Sequence, residues 1–423
     1  MSEARRTECA FKFNGKSVTV YLQDYLENVS YTDVASGSSD SLDITVHNID
    51  KQWMDNWYPV KGDKVVGSFL FKNWVKDQED IILPLGIFTL DEITLRGGPL
   101  TANFGCVAVP NDQSFRVRER TKTWSDVTLK EIGEEIATRY GLLFTYDCAE
   151  SIQVKKLEQS DETDCSFLYS LCENNGLKMK VYAGAITIYD QSEFEQKKSV
   201  ATLTRESFDG DSWNYADTIA GIYTGARISY KSEGSDEEIS VYVGFQAEDA
   251  EGSRILKVSQ TADSQGDAYR KAAAAVNESN EEATTLKGDI FPDPNICAGV
   301  CVKVRGMGKI DGKYFVEKST ISVSDGKTSQ SLEMHKCQPR LNYTPKPAAG
   351  SGEPASSHNI GDVVQFAGGK HYVSSYAGAK GYNAKPGPAK ITAMNEKGAH
   401  PYHLIHTDKT SNVYGWVDEG TFS

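Results

Sequence analysis

The sequence has little that would suit it to nucleic acid, to a membrane or to metal chemistry. Its 423 residues carry 45 Lys and Arg against 59 Asp and Glu, a formal net charge of −14. Sequence-independent binding to phosphate needs a cationic surplus that releases counterions, so no nucleic-acid binding is expected. No apolar run approaches the roughly 18 residues of a spanning helix. The longest, residues 81–88, is strand-sized and contains Pro84. Residues 1–8 lack the apolar centre of a secretory signal. None of the eight cysteines falls in a CxxC, and Cys297 and Cys301 have no second ligand pair nearby. A structural zinc needs four closely placed ligands, so the cysteines read as reduced, small hydrophobes of a protein folded in the cytoplasm.

Catalytic signatures are equally scarce. The last 65 residues hold four of the seven histidines but no cysteine that could act as a nucleophile beside them. GxSxG is missing, and Gly308 to Gly312 lacks the GK[ST] ending of a phosphate loop. Glu134/Glu135 and Glu281/Glu282 fall on predicted helices, where a solvated face is the plainer reading. His400, His403 and His406 form HxxHxxH, but alternation on a strand sends His403 and His406 to opposite faces. No catalytic residue, cofactor or metal is expected, and the chain does not read as an enzyme.

What is present is strand and turn. Leu42, Ile44 and Val46 alternate with Ser41, Asp43, Thr45 and His47, the period of a half-buried strand. Further strands are predicted at 17–22, 64–71, 86–93 and 101–108. Thr128 and Glu131 fit a capping box, with Leu129, Ile132, Ile136 and Tyr140 at helical spacing and Gly141 as the stop. A second helix is predicted over 164–174, ending at Gly176, and a third over 266–280. Strands at 226–230, 238–245 and 254–259 are expected to continue a second β unit. Pro- and Gly-bounded strands at 300–304 and 314–317 should pair antiparallel. Residues 343–358, rich in Pro, Gly, Ala and Ser, read as a linker. The expected class is mainly β (α+β): a first barrel-like unit over 1–111, an α/β insert over 112–198, a second barrel-like unit with one helix over 199–342, the linker, and a small barrel over 359–423.

Two features suggest contact surfaces. Arg116, Arg118, Arg120 and Lys122 form an alternating basic run, suited to an acidic neighbour or to guarding a strand edge against pairing. In the last segment Tyr372, Tyr376, Tyr382, Tyr402, His403, Tyr414 and Trp416 cluster. Their apolar faces with polar tips suit sugars or peptides, although some must serve the local core.

The ordered blocks 40–46, 53–63, 86–92, 128–137, 159–176 and 299–315 make the first 340 residues resemble the late-control baseplate hub family of contractile phage tails, akin to the hub domain of type VI spikes. That resemblance implies a homotrimer whose two barrel-like units per chain form a pseudo-sixfold ring between tail tube and central spike. It implies assembly in the bacterial cytoplasm and a place in the virion tail, extracellular after lysis. The tube or tube-initiator protein and the spike are the implied partners, with tape-measure and wedge proteins as further candidates. Residues 360–366, 371–376, 381–387, 400–406 and 413–417 resemble the SH3-like modules of Gram-positive cell-wall amidases and tail proteins. This implies peptidoglycan, or another tail protein, as the ligand of 359–423. The alternatives are a cell-wall-binding subunit or hydrolase, and the hub of a non-phage injection system.

Overall fold

The computed structural model describes residues 4–19, 22, 24–74, 79–108, 114–182, 184–231, 238–324, 326–341, 360–395, 398–418 and 421–422. The expected linker over 343–358 lies outside these residues. The chain divides into a body, Met1–Pro345, and a terminal unit, Lys346–Ser423.

The body begins with β1 (Arg6–Phe13), β2 (Lys16–Ser17), β3 (Leu26–Val34), β4 (Ser41–His47), β5 (Lys64–Lys72), β6 (Ile81–Gly97) and β7 (Leu100–Val107). Leu42, Ile44 and Val46 on β4 are fully buried, as their alternation predicts. Asn14 and Gly15, both at positive φ, turn β1 into β2, the residue pair that best fits a tight hairpin. The strand predicted over 17–22 is corrected. Strand pairing stops at Ser17, and the Leu22 amide then bonds the Val18 carbonyl at 2.9 Å, a helical turn. Val18 and Leu22 both pack on the core, four residues apart on one helical face.

The insert comprises α1 (Ser114–Val117), β8 (Glu119–Thr128), α2 (Leu129–Arg139), β9 (Leu143–Asp147), β10 (Gln153–Thr163), α3 (Asp164–Asn174), β11 (Lys178–Tyr182), β12 (Ala185–Tyr189) and α4 (Gln191–Gln196). The capping box forms: the Glu131 amide donates to Thr128 Oγ1 at 3.1 Å and the Thr128 amide to Glu131 at 2.7 Å. Strands β8 and β10 pair alone, while β9, β11 and β12 form a second small sheet. The insert packs back on the first β unit at Gly86, which sits at φ 103° beside the β5–β6 bulge. A Cβ there would lie 3.0 Å from the Tyr182 ring.

The chain continues through β13 (Ala201–Leu203), β14 (Phe208–Asp217), β15 (Gly225–Lys231), β16 (Glu238–Gly244), β17 (Ile255–Val258), α5 (Gln265–Glu281), β18 (Thr284–Ile290), β19 (Cys301–Val304), β20 (Gly312–Ser324) and β21 (Lys327–Lys336). Strands β15, β16 and β17 do not join the main sheet. They form a separate three-stranded sheet, on which α5 packs through Ala268, Ala272, Ala273 and Val276. Small side chains let the helix lie close, so these strands find their partner locally.

All other strands of the two β units belong to one sheet, ordered β14-β18-β21-β20-β3-β4-β7-β6-β5-β1-β2, with β19 branching from β20 and β13 pairing with β19. The expected antiparallel pairing is present, with Cys301 opposite Phe315 and Val302 opposite Tyr314. Beyond a register shift between Val316 and Lys318, β20 leaves β19 and pairs with β3. Tyr314 and Val316 therefore fill one core, while Ile321 and Val323 fill the core of the first β unit. A strand from beyond residue 199 thus completes a core built from residues before 111.

Where insert, α5 and β21 meet, charge is buried. Glu195 on α4 lies 3.0 Å from His335 Nε2 and accepts from Arg340 Nε at 3.0 Å. His335 Nδ1 lies 2.6 Å from Glu317. Arg340 also reaches Glu281 at 2.9 Å, and Lys178 reaches Glu281 at 3.1 Å. Burial opposes ionisation of His335, but Glu195 and Glu317 overcome it and hold its pKa at about 9. Burial likewise opposes charge on Glu195, yet bonds from His335 and Arg340 hold it at about 2. At the other side of the insert, Lys180 pairs with Asp33 and lies 3.5 Å from Asp40, and Asp33 also accepts from the Ala298 amide at 2.9 Å. Burial pushes Asp40 up to about 7, against the pull of Lys180.

A pH dependence follows. His335 titrates at about 9 folded against 6.5 unfolded, so its contribution is complete below pH 6.5 and lost as pH rises through 9. The Glu195 contribution is complete above pH 4.5 and lost toward pH 2. Asp40 acts in the alkaline direction too, losing its contribution as pH rises through about 7. Thermal denaturation should show the body losing stability from pH 6.5 to 9, with His335 contributing on the order of 3 kcal/mol. His335→Gln should flatten that fall, and Asp40→Asn the separate loss expected between pH 3.8 and about 7.

Candidate functional site

The terminal unit is a six-stranded sheet of β22 (Val363–Phe366), β23 (Gly369–Tyr372), β24 (Gly381–Ala384), β25 (Gly387–Met394), β26 (Tyr402–His406) and β27 (Tyr414–Val417), in the order β22-β25-β26-β27-β23-β24. Its core holds Val364, Phe366, Ile391, Leu404, Val413, Val417 and Phe422. Leu404 fixes the inner face of β26, and alternation puts His403 and Ile405 on the other face. Across the sheet His403 sits opposite Trp416, Ile405 opposite Tyr414, and Trp416 opposite Tyr372. The register therefore aligns Tyr372, Trp416 and His403, with Tyr414 one position along the same face.

Ring geometry agrees. His403 meets Trp416 edge-on at 5.3 Å and Tyr414 at 5.8 Å. Thr392 Oγ1 lies 2.6 Å from His403 Nδ1 and holds the ring. Burial, aided by His371, lowers the His403 pKa, so the imidazole is neutral at pH 7 and extends the aromatic surface. Tyr372 stacks on His400 at 3.5 Å, and His400 Nδ1 lies 2.5 Å from Asp418. Tyr382 sits beside His371, with ring centroids 6.1 Å apart. Tyr376 is 68% exposed and makes no ring contact among the described residues. Tyr402 is corrected: it shares the inner face with Leu404 and packs edge-on against Phe422 at 5.1 Å. The three histidines of HxxHxxH go to separate partners, His406 Nδ1 lying 2.9 Å from the Asp408 carbonyl.

Two open clefts, of about 440 and 660 Å³, flank the buried charges of the body. Glu195, Glu281, His335, Arg340 and Lys178 line them, but each lies against an opposite charge. That arrangement clamps the elements together. Half of the basic run is also internal. Arg120 lies 3.1 Å from Asp164, and Lys122 pairs with Glu135. Arg139 at 2.5 Å, the Tyr140 hydroxyl at 2.6 Å and Gln159 at 2.9 Å complete the shell of Asp164.

A surface that sequence reading did not single out lies between β4 and β5. Ile49, Met54, Tyr58 and Val60 are 50–77% exposed. Beneath them Trp53 is buried and donates its amide to Asn48 at 3.1 Å, while Trp57 meets Tyr25 edge-on at 5.4 Å. These apolar side chains stand exposed on a pinned loop. In the sequence the stretch is signalled by the ordered block 53–63 and by apolar residues without periodicity.

Comparison with known proteins places this geometry. No family model matches the chain. It is 28% identical over 220 residues to the probable baseplate hub protein of Escherichia phage 186, covering 51% of this chain, and 27% identical over the same length to that of Escherichia phage P2. The chain spans about half the length of these relatives, 54% in each case. The 43 kDa tail protein of prophage MuSo2 from Shewanella oneidensis matches with a TM-score of 0.59 at 12% identity, over 78% of this chain and 98% of its own. A tail protein from Neisseria meningitidis gives 0.59 at 13% identity, over 78% and 97%. The chain has the fold of phage tail proteins. The mainly β class expected from the sequence is the class of this tail-protein fold.

The two faces of the terminal sheet should respond differently to truncation. Tyr402→Ala removes a ring packed on the core and should destabilise the unit by about 2–3 kcal/mol. Tyr414→Ala, at a side chain 64% exposed, should stay within about 0.5 kcal/mol. Amide hydrogen exchange across residues 363–417 in the two variants measures the difference.

Proposed function

We propose that this chain is a structural hub of a contractile phage tail or tail-like particle, joining tail tube to central spike. The observation that carries this reading is the 220-residue relationship to probable baseplate hub proteins, on a fold shared with phage tail proteins. In this reading three copies form the ring, each contributing two β units. Apolar loops such as Ile49–Val60 are buried between neighbours, and exposed strand edges become covered. The tube or tube-initiator protein and the spike are the axial partners, with tape-measure and wedge proteins as further contacts. The acidic balance suits a part past which DNA moves without sticking.

Within this reading the terminal unit is an SH3-like module whose outer aromatic face, Tyr372, His403, Tyr414 and Trp416, with Tyr376 and Tyr382 beside it, binds peptidoglycan or another tail protein. The aromatic face is also what favours the second reading, a cell-wall-directed subunit. The paired state of the buried acids and bases in the body supports binding over hydrolysis.

Native mass spectrometry of the full chain should give three copies, and Ile49→Asp with Val60→Asp should shift the mass to one copy without lowering the melting temperature. A chain that stays monomeric in solution and within purified particles defeats the ring. Co-sedimentation with purified Gram-positive peptidoglycan should retain the full chain. Trp416→Ala with Tyr414→Ala should cut retention about tenfold, as expected for losing one to two stacking contacts.

A further inference from the structure

A small cavity lies apart from the buried charges around Glu195 and from the terminal sheet. It holds about 190 Å³ and lies where the turn between β3 and β4 meets α1, α3 and β11. Met179 and Val181, both buried, form its floor, and Tyr169 and Cys165 line its wall. Ser38, Ser39, Ser166 and Arg116 surround its mouth.

Arg116 is exposed and has no carboxylate partner among the described residues, and the same holds for Arg118 nearby. Asp164, at the start of α3, is already surrounded by Arg120, Arg139, Tyr140 and Gln159. The mouth therefore carries a cation and hydroxyl donors with no carboxylate among its lining residues, above an apolar floor, in a chain of net charge −14. A guanidinium fork matches a carboxylate with two parallel bonds, and the floor favours an aliphatic group removed from water. The cavity is below the roughly 300–1,000 Å³ of cofactor and drug-sized sites. It suits one side chain, so the apolar group and the carboxylate must come from a single residue. Within a polypeptide, only the last residue carries both on one Cα.

We propose that this cavity captures the C-terminal residue of a partner polypeptide, its aliphatic side chain on Met179 and Val181 and its α-carboxylate on Arg116. The serine hydroxyls take the remaining carboxylate lone pairs. Because the body is acidic overall, recognition is local and weakens with salt.

Fluorescence anisotropy with the full chain tests this, using a labelled hexapeptide ending in Leu with a free carboxylate. Saturable binding is expected. The C-terminal amide, a peptide ending in Gly, and the Arg116→Gln variant should each weaken it about tenfold. Arg116 is exposed, so an unchanged melting temperature verifies that the variant is folded. Absence of saturable binding, equal binding of acid and amide, or undiminished binding to Arg116→Gln would overturn the proposal. An internal Leu-Asp peptide that binds as well as the free acid would overturn the assignment to a chain terminus.

Discussion

The body depends on one strand serving two cores. Over Gly312–Phe315, β20 pairs with β19; past the register shift at Val316 and Lys318 it pairs with β3. On the inner face Ile321 and Val323 lie opposite Tyr31 and Val29. On the outer face Ser322 and Thr320 reach Ser30 and Thr32, each at 3.2 Å. A break in β20 exposes both cores at once, so the two β units cannot loosen independently. A continuous hydrogen-bonded sheet is stiffer than two units joined by a linker.

The insert is held by charge as well as by packing, and the two kinds of contact differ. Tyr182 over Gly86 and the floor of the small cavity are shape contacts that tolerate little change in volume. The clusters around Glu195 and Asp33 carry ions out of water, which costs several kcal/mol per ion unless geometry returns it. Apolar residues would give as much stability there, but an ion set of this kind accepts few arrangements. Glu195 needs His335 and Arg340 together, and Glu281 needs Arg340 and Lys178. These pairs fix the insert relative to β21 and α5 in one orientation, a positional role beside their pH-dependent contribution to stability.

Local features of the chain were legible in its sequence. The Thr128–Glu131 box, the helices at 164–174 and 266–280, the period of β4 and the pairing of β19 with β20 all rest on contacts within a few residues or on one alternating face. Long-range choices were not. Nothing in the alternation of Ile321 and Val323 says that their partner is β3, nearly 290 residues earlier. The strand predicted over 17–22 failed because Val18 and Leu22 satisfy both a period of two and a spacing of four. In the terminal unit, alternation from Leu404 was enough to separate Tyr402 from His403. Composition alone had grouped them.

The groups left open to partners lie on connections and outer faces, not within the sheets' interiors. Ile49, Met54, Tyr58 and Val60 sit on a loop whose base is pinned by Trp53 and Trp57. Arg116 sits on a single helical turn beside the 37–39 turn. Tyr414 and Trp416 project from a strand whose inward residues, Val413 and Val417, are fully buried. In each case a rigid scaffold presents a side chain that contributes little to its own fold. In the proposed hub, stability and assembly therefore draw on different residues: the proposed partner surfaces can change while β20, its two cores and the buried ions stay as they are. The same division fits a tail-protein fold that is shared at 12–13% identity. What the strands of the fold need above all is a period of two, and many sequences satisfy it.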